Sequence, residues 1–217
     1  MNIFQQFASF MQEGGAWMYP ILVTLVAGIA ISIERWMYLS KVEKVNKALW
    51  ADAFDLVSKG QVKAALEKTK ASDSALGLIL TNGLTRLLTS RKMDDVEMAM
   101  EEGLMESLPR LEKRTHYLST LANVATLLGL LGTIIGLIHA FTAVASADPA
   151  EKANMLSAAV GEAMNCTAFG LITAIPLLVL FSLLQSKTGQ AVESLEAASI
   201  KFQNVVRQLG NSQNAQS

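Results

Sequence analysis

The side chains that could do chemistry in this sequence lie in two apolar segments near its middle. Residues 118–147 contain no Asp, Glu, Lys or Arg, and His139 is the only ionisable residue among them. The next segment carries one carboxylate, Glu162, and then no charged residue from 163 to 186. Both segments also contain Thr, Ser, Asn and Gly, and polar groups in a membrane helix are costly unless they face a partner helix or water. The pattern therefore predicts two helices that line a shared interior.

On the first of these helices, polar and small side chains recur at steps of three and four residues, which places them on one helical face. A hydroxyl group can both donate and accept hydrogen bonds, so this face could hold water or present an ion to a carboxylate of another chain. The alternative is that the hydroxyls only join helices to one another, with no ion involved. The stripe consists of Ser119, Asn123, Thr126, Leu130, Thr133, Leu137 and Ala140.

The second helix combines a small-residue face with the carboxylate. Glu162 lies one to two turns into this segment, and an intramembrane carboxylate is a functional-site candidate by default. The alternative is a structural carboxyl group that is hydrogen-bonded and holds two subunits together. The small face contains Ala163, Thr167, Gly170 and Ala174, and on the preceding helix the set Gly129, Gly132 and Gly136 would let another backbone approach closely.

Three segments are long and apolar enough to cross a hydrocarbon core of about 30 Å, which takes roughly 20 residues. The first has aromatic residues at both ends, as expected for rings at two membrane–water interfaces. The sequence therefore predicts an all-α membrane protein with three transmembrane helices. Its expected parts are an N-terminal stretch (1–16), a first span (17–39), a helical extension (40–116), a second span (117–145), a loop (146–153), a third span (154–186), a C-terminal helix (187–209) and a disordered tail (210–217).

Basic residues predict which parts lie on each side of the membrane. Most of the 18 Lys and Arg residues lie between residues 40 and 117, whereas the N-terminal stretch has none and the loop has only Lys152. Cytoplasmic loops carry the excess of Lys and Arg in membrane proteins. We therefore expect a periplasmic N-terminus and loop, and a cytoplasmic extension and C-terminus.

The extension has the composition of soluble helices, being rich in Ala, Leu, Glu, Lys and Met. Small and polar residues divide it into pieces. We expect amphipathic helices at 61–70, 76–88 and 96–111, the last of them capped by Asp94. Its charges are typical of a solvated helical face, and contact with cytoplasmic partners is the alternative.

Composition argues against several classes of function. The single cysteine, Cys166, cannot form an intrachain disulfide. His116 and His139 are separated by about 35 Å along one helix at 1.5 Å per residue, so they cannot share a metal ion within one chain. A net charge of −1 does not favour nucleic-acid binding. Because the sequence also offers no nucleophile–base pair, we expect no metal, no cofactor and no enzymatic activity.

Two motifs of the hairpin resemble a known family. LLGLLGTIIG at 127–136 and GEAMNCTAFGLITAIP at 161–176 resemble the MotA/TolQ/ExbB proton-channel family, most closely its ExbB/TolQ branch. The layout of three spans with a large helical segment after the first is also similar. The resemblance implies a bacterial inner-membrane protein that assembles as a ring-shaped homopentamer, with the second and third spans around a central pore.

The resemblance also implies a function and a partner. Thr133 and Thr167 match the family's pore threonines, and Glu162 matches its glutamate in the third span. The partner would be a single-span subunit of the ExbD/TolR/MotB type that supplies an intramembrane Asp, and the pair would couple proton flow to work on an envelope-spanning component. The alternative function is a non-conducting oligomeric scaffold for partner helices.

One feature departs from the family pattern. ExbB-like chains often carry Ser-Pro where this sequence has Ala125-Thr126. The change removes a proline and places the hydroxyl group at Thr126, near the expected ion path. Sodium-driven relatives could exploit extra hydroxyls, so the coupling ion stays open between H⁺ and Na⁺.

Overall fold

The computed structural model describes residues 3–90 and 92–214, and all regular structure in this part of the chain is α-helical. Three of the helices described, α2, α6 and α7, contain stretches long and apolar enough to cross a membrane. The predicted all-α class with three apolar spans is therefore confirmed. The helices are α1 (Ile3–Glu13), α2 (Met18–Ser58), α3 (Val62–Lys70), α4 (Ala75–Thr89), α5 (Met93–Glu112), α6 (Thr115–Ala145) and α7 (Lys152–Asn214).

Two helices are longer than the spans that the sequence predicts. α2 continues past residue 39 to Ser58, and α7 continues from the third span through the expected C-terminal helix without a break. Gly189 does not interrupt α7, because a single glycine costs a helix only about 1 kcal/mol relative to alanine. The sequence predicts a disordered tail from residue 210, but α7 extends to Asn214, and residues 215–217 lie outside the described residues.

The chain divides into two compact units, to both of which α2 and α7 contribute. The first unit contains residues up to Glu34 together with Arg114–Leu184. Its core includes Leu118 on α6 and Leu177 on α7, both fully buried. Gly28 of α2 lies against the Leu177 side chain, where an added Cβ would overlap it. Large apolar side chains remain exposed on the outer faces of the three long helices, as expected for surfaces covered by lipid or by other subunits.

Helix α1 belongs to the first unit and is not predicted from the sequence. Phe10 on α1 packs edge-on against Phe169 on α7, with ring centroids 6.0 Å apart. The turn that follows contains Gly15 at φ +76°, a left-handed conformation that glycine adopts without steric cost. This turn brings the N-terminal segment back over the start of α7.

The second unit contains Arg35–Lys113 and the chain from Gln185 onwards. Helices α4 and α5 pack closely in it, and Gly103 permits this because a Cβ there would lie 3.0 Å from the Cα of Ile79. Arg35 is buried, donates a hydrogen bond to the Leu111 carbonyl, and lies 4.8 Å from the centroid of the Tyr38 ring. These contacts fix the C-terminal end of α5 to α2.

The three expected helices of the extension correspond to α3, α4 and α5. Ser74 caps α4, with its Oγ accepting a hydrogen bond from the Gly77 amide at 3.0 Å. The expected cap of α5 is wrong. Lys92 occupies the N-cap position without a side-chain cap, and Asp94 lies inside the first turn, where a carboxylate still interacts favourably with the helix dipole.

Candidate functional site

The two threonines that the sequence places on neighbouring spans meet in the structure. Thr133 Oγ1 on α6 and Thr167 Oγ1 on α7 lie 2.7 Å apart. Both hydroxyls also lie within hydrogen-bond distance of one backbone oxygen, the carbonyl of Gly129, at 3.1 Å from Thr133 and 3.0 Å from Thr167. We call these three oxygens the threonine triad.

The threonine triad has more contacts than protons. Each hydroxyl carries one proton, so two protons serve three close oxygen–oxygen contacts. Either both hydroxyls donate to Gly129, or one of them donates to the other hydroxyl instead. These arrangements differ only by rotation of O–H bonds. The site can therefore change the direction in which it donates without moving a heavy atom.

Glycine is the reason that α7 can reach the Gly129 carbonyl. A Cβ on Gly129 would lie 3.2 Å from the Cα of Thr167 and 3.3 Å from the Cα of Gly170. A Cβ on Gly170 would lie 2.8 Å from the Ala125 carbonyl oxygen. The backbones of α6 and α7 thus touch at this level, as in small-residue packing of membrane helices. The glycines predicted to allow close approach do so here.

The rest of the predicted polar stripe does not join the threonine triad. Asn123, Thr126 and Leu130 are exposed in the isolated chain. Thr126 Oγ1 donates to its own helix, to the Ala122 carbonyl at 3.1 Å. At 100° per residue, these positions lie about a quarter-turn from the face that packs on α7. These three positions are therefore free to face a partner outside this chain.

Glu162 lies apart from the threonines. It is five residues before Thr167, and its side chain is exposed rather than hydrogen-bonded to either hydroxyl. It lines a cavity of about 830 Å³ in the first unit, which we call the Glu162 cavity. His139 and Asn165 also line it. The structure thus brings two of the three predicted site residues together and leaves the third in a separate, open space.

The Glu162 cavity includes contacts that sequence reasoning missed. Gly15, in the turn after α1, lies directly against the carboxylate, and an added Cβ would overlap Glu162 Oε1. The sequence offers only the Gly14-Gly15 pair as a hint of this contact. His139, which the sequence does not place on the threonine stripe, shares the cavity with the carboxylate.

Cys166 is a packing residue in this structure. Its side chain is almost fully buried and lies against Gly132 of α6, where a Cβ would overlap its Sγ. Among the residues that the structure describes, no group of three His, Cys, Asp or Glu side chains is arranged to hold a metal ion.

Comparisons with known proteins agree on one family. A family model described as the MotA/TolQ/ExbB proton channel family matches residues 71–197, more than half of the chain. A Synechocystis protein named as ExbB-like is 27% identical over 199 residues, covering 91% of this chain and 78% of that protein. The biopolymer transport protein exbB1 of Vibrio cholerae is 27% identical over 187 residues, covering 85% and 82%.

A solved structure has a similar fold. The structure of C. jejuni MotAB contains a chain that matches 94% of this chain and 77% of its own length, with a TM-score of 0.54. The sequence identity is 15%, so this likeness concerns the fold alone.

Proposed function

Because the chain belongs to the MotA/TolQ/ExbB proton channel family, we propose that it is the pore-lining subunit of an ion-driven motor in the bacterial inner membrane. Its task is to couple ion flow to mechanical work on an envelope-spanning partner. This is transport rather than enzymatic catalysis. The ExbB-like relatives and the apolar helices α2, α6 and α7 support the proposal.

The observation that carries the proposal is the threonine triad. Its hydroxyls can reorient between acceptors, which suits a site that hands hydrogen bonds to a passing ion or to a nearby carboxylate. It contains no titratable group, and a proton relay in a membrane needs one. The proposal therefore includes a single-span partner of the ExbD/TolR/MotB type with an intramembrane Asp. One charge crossing 100 mV releases about 2.3 kcal/mol, which a moving partner helix can convert into work.

The assembly and topology follow the same reasoning. We propose a homopentamer in which α6 and α7 surround the partner helices, and the exposed polar stripe on α6 supports such a placement. The excess of Lys and Arg between residues 40 and 117 favours a cytoplasmic extension and C-terminus, with the N-terminus and the α6–α7 loop in the periplasm. Glu162 is proposed as a pathway residue at the periplasmic end.

The test replaces hydroxyls by methyl groups at similar volume. The double variant Thr133→Val/Thr167→Val, purified with its partner subunit and reconstituted in liposomes, should show an ion flux at least about tenfold lower, because losing about 1.4 kcal/mol of hydrogen bonding during transfer slows it tenfold. Thr142→Val is the matched control, since Thr142 lies on α6 outside the polar stripe and donates only to the Ile138 carbonyl of its own helix, and its flux should stay within about twofold. Separate H⁺ and Na⁺ gradients identify the coupling ion.

A non-conducting scaffold is the second candidate function. The observation that favours it is the interhelical hydrogen bond from Thr167 to the Gly129 carbonyl, because packing alone could explain that bond. A scaffold predicts that the double valine variant assembles with its partner and that neither variant changes ion flux. Unchanged flux in a correctly assembled double variant would therefore contradict the channel.

A further inference from the structure

A second cavity, of about 450 Å³, lies within the second unit, and we call it the Lys41 cavity. Its lining comes from four helices and from the turn between α3 and α4. Aliphatic side chains such as Val45 and Leu78 form part of the wall. It is therefore a pocket with both polar and apolar lining residues, of the size that holds small organic groups.

The charged residues that line the Lys41 cavity are mostly cationic. They are Lys41 from α2, Lys70 from the end of α3, Arg110 from α5 and a single acid, Asp73. Among the described residues, none of the three cations forms an ion pair, whereas Lys47, Lys59 and Lys68 of the same unit each pair with a carboxylate. Three unpaired cations beside one acid give the cavity a positive potential.

The floor of the cavity offers a hydroxyl donor. Ser74 Oγ accepts hydrogen bonds from the Ser72 hydroxyl and from the Gly77 amide, both at 3.0 Å. Its own proton is therefore available for an acceptor inside the cavity. The amide at this end of α4 is already satisfied by Ser74, so the side chains rather than the helix terminus would bind a ligand.

Two of the residues that line the cavity lie at the end of the first predicted span, which relates the cavity to a membrane surface. Tyr38, which lines it, is the last aromatic residue of the first span, and Lys41 follows three residues later. Aromatic and basic residues at the end of a span lie at the level of lipid headgroups. A ligand in the Lys41 cavity would thus be within reach of the leaflet that borders α2.

We propose that the Lys41 cavity binds the phosphate of an anionic phospholipid headgroup. Lys41, Lys70 and Arg110 would neutralise the phosphate through charge-assisted hydrogen bonds, and Ser74 would donate one more. The aliphatic wall would contact the glycerol portion. Basic pockets beside transmembrane helices are known to hold such headgroups. The site rests on the proposed membrane span of α2, and none of its lining residues belongs to the proposed ion pathway.

The experiment measures lipid binding to the purified full-length complex by native mass spectrometry, with phosphatidylglycerol, phosphatidylcholine or inorganic phosphate added. We expect phosphatidylglycerol to bind at least about fivefold more tightly than phosphatidylcholine, because each nearby basic residue adds to the attraction. The variant Lys41→Gln/Lys70→Gln/Arg110→Gln should weaken phosphatidylglycerol binding at least about tenfold, and excess inorganic phosphate should compete with the lipid.

A matched control separates a built site from diffuse surface charge. Lys44, Lys63 and Arg86 are also exposed, lie in the same unit, have no ion pair among the described residues and do not line the cavity. Lys44→Gln/Lys63→Gln/Arg86→Gln removes the same charge and should change lipid binding less than about twofold. Equal weakening by both triple variants would overturn the proposal. So would equal binding of the two lipids.

Two further outcomes keep the test decisive. Binding of inorganic phosphate without any preference for phosphatidylglycerol would assign the site to a soluble phosphate and overturn the lipid. If the triple variant does not assemble, Lys70→Gln alone should weaken phosphatidylglycerol binding about threefold, and no change would overturn the proposal. Thr133→Val/Thr167→Val should bind lipid normally, so a failed ion-flux proposal and a failed lipid proposal remain distinguishable.

Discussion

The threonine triad and the Glu162 cavity lie on the same two helices and differ in nearly every physical respect. At the triad, the α6 and α7 backbones touch through Gly129 and Gly170, and the hydroxyls contact each other and a backbone carbonyl. Around Glu162, the same helices border a cavity of about 830 Å³, and the carboxylate is exposed. One site is dense and internally satisfied, and the other is open.

This difference suggests that the threonine triad and the Glu162 cavity have different roles in the α6–α7 hairpin. A carboxyl group in an open cavity can stay accessible to water, which matters because a charge is costly to bury without partners. Hydroxyls in a dense contact remain neutral and can only redirect hydrogen bonds. In a pathway made of both, the cavity would admit the ion, and the triad would control its transfer to the partner helix.

The largest expected loss of stability comes from adding a methyl group where the α6 and α7 backbones touch. Gly170→Ala places a Cβ about 2.8 Å from the Ala125 carbonyl oxygen, which is backbone and cannot yield easily. Overpacking of this kind costs about 1–3 kcal/mol. We expect a lower thermal midpoint in detergent and loss of the hydrogen bond from Thr167.

Gly161 supplies the matched control for that variant. It lies on the same helix and lines the Glu162 cavity, and an added Cβ would have no neighbour within 4 Å. Gly161→Ala should therefore raise stability by about 0.5–1 kcal/mol, since alanine favours the helix. Equal destabilisation by the two variants would mean that the dense and open regions do not differ.

The next effect tests the contact between the N-terminal turn and the carboxylate. Gly15→Ala forces a left-handed backbone on alanine, at a cost of roughly 1–2 kcal/mol, and also drives its Cβ into the Glu162 carboxylate. Gly60→Ala has the same backbone strain at φ +75° with open space around it. The Glu162 carboxylate is the end of an exposed side chain that can rotate aside, so we expect Gly15→Ala to be only slightly more destabilising than Gly60→Ala in thermal unfolding.

A double-mutant cycle isolates the carboxylate contribution to this difference. In a Glu162→Ala background, the excess cost of Gly15→Ala over Gly60→Ala should disappear, because the overlapping atoms are gone. An excess that persists would show that the strain has another source and that the turn does not cover Glu162.

A smaller effect is expected at the threonine hydroxyls themselves. Thr133→Val and Thr167→Val should each cost about 0.5–1.5 kcal/mol, the usual net value of a hydrogen bond. Because the contact between the two hydroxyls is lost in either single variant, the double variant should cost less than the sum of the singles. Chemical or thermal unfolding of the four proteins measures this coupling, and strict additivity would contradict a shared site.

The smallest expected effect concerns an exposed pair of side chains, Lys47 and Glu43, as a counterpart of the partly buried threonine pair. On α2, the hydrogen bond from Lys47, together with its charge, lowers the pKa of Glu43 below its ordinary value. The interaction is therefore present above that ordinary pKa and is lost as the pH falls through the lowered one. Lys47→Gln should raise the pKa of Glu43 in an NMR titration, with little change in stability because both side chains are exposed.

Much of the fold follows from sequence patterns. Charge-free runs predict the three apolar helices, and steps of three and four residues place Thr133 on a continuous polar face. Spacing alone could not predict where α2 ends, because the apolar periodicity of its span passes into amphipathic periodicity without a breaker between residues 39 and 58. Helix α1 was missed for another reason, since a short amphipathic segment is stabilised by tertiary contacts such as Phe10 with Phe169.

The sequence predicts the two threonine side chains of the candidate site, but it does not predict the backbone carbonyl that accepts their hydrogen bonds. Thr133 and Thr167 carry a sequence signal, because a hydroxyl stands out in an apolar helix. The Gly129 carbonyl carries none, since every residue has one, and only the packing of α7 selects it. The approach of Gly15 to Glu162 was equally hidden, because the two residues are far apart in the chain and the contact depends on one left-handed turn.

The oxygen shared by the two threonines belongs to a peptide unit, so no replacement of an amino acid can delete it. What a replacement can do is thicken either helix by a methyl group and carry that oxygen out of reach. Substitutions at Gly129 or Gly170 therefore change the distance between the two helices rather than the polarity of the acceptor. An engineer who wishes to retune the site would do better to vary the separation of the two helix axes than to exchange one polar side chain for another.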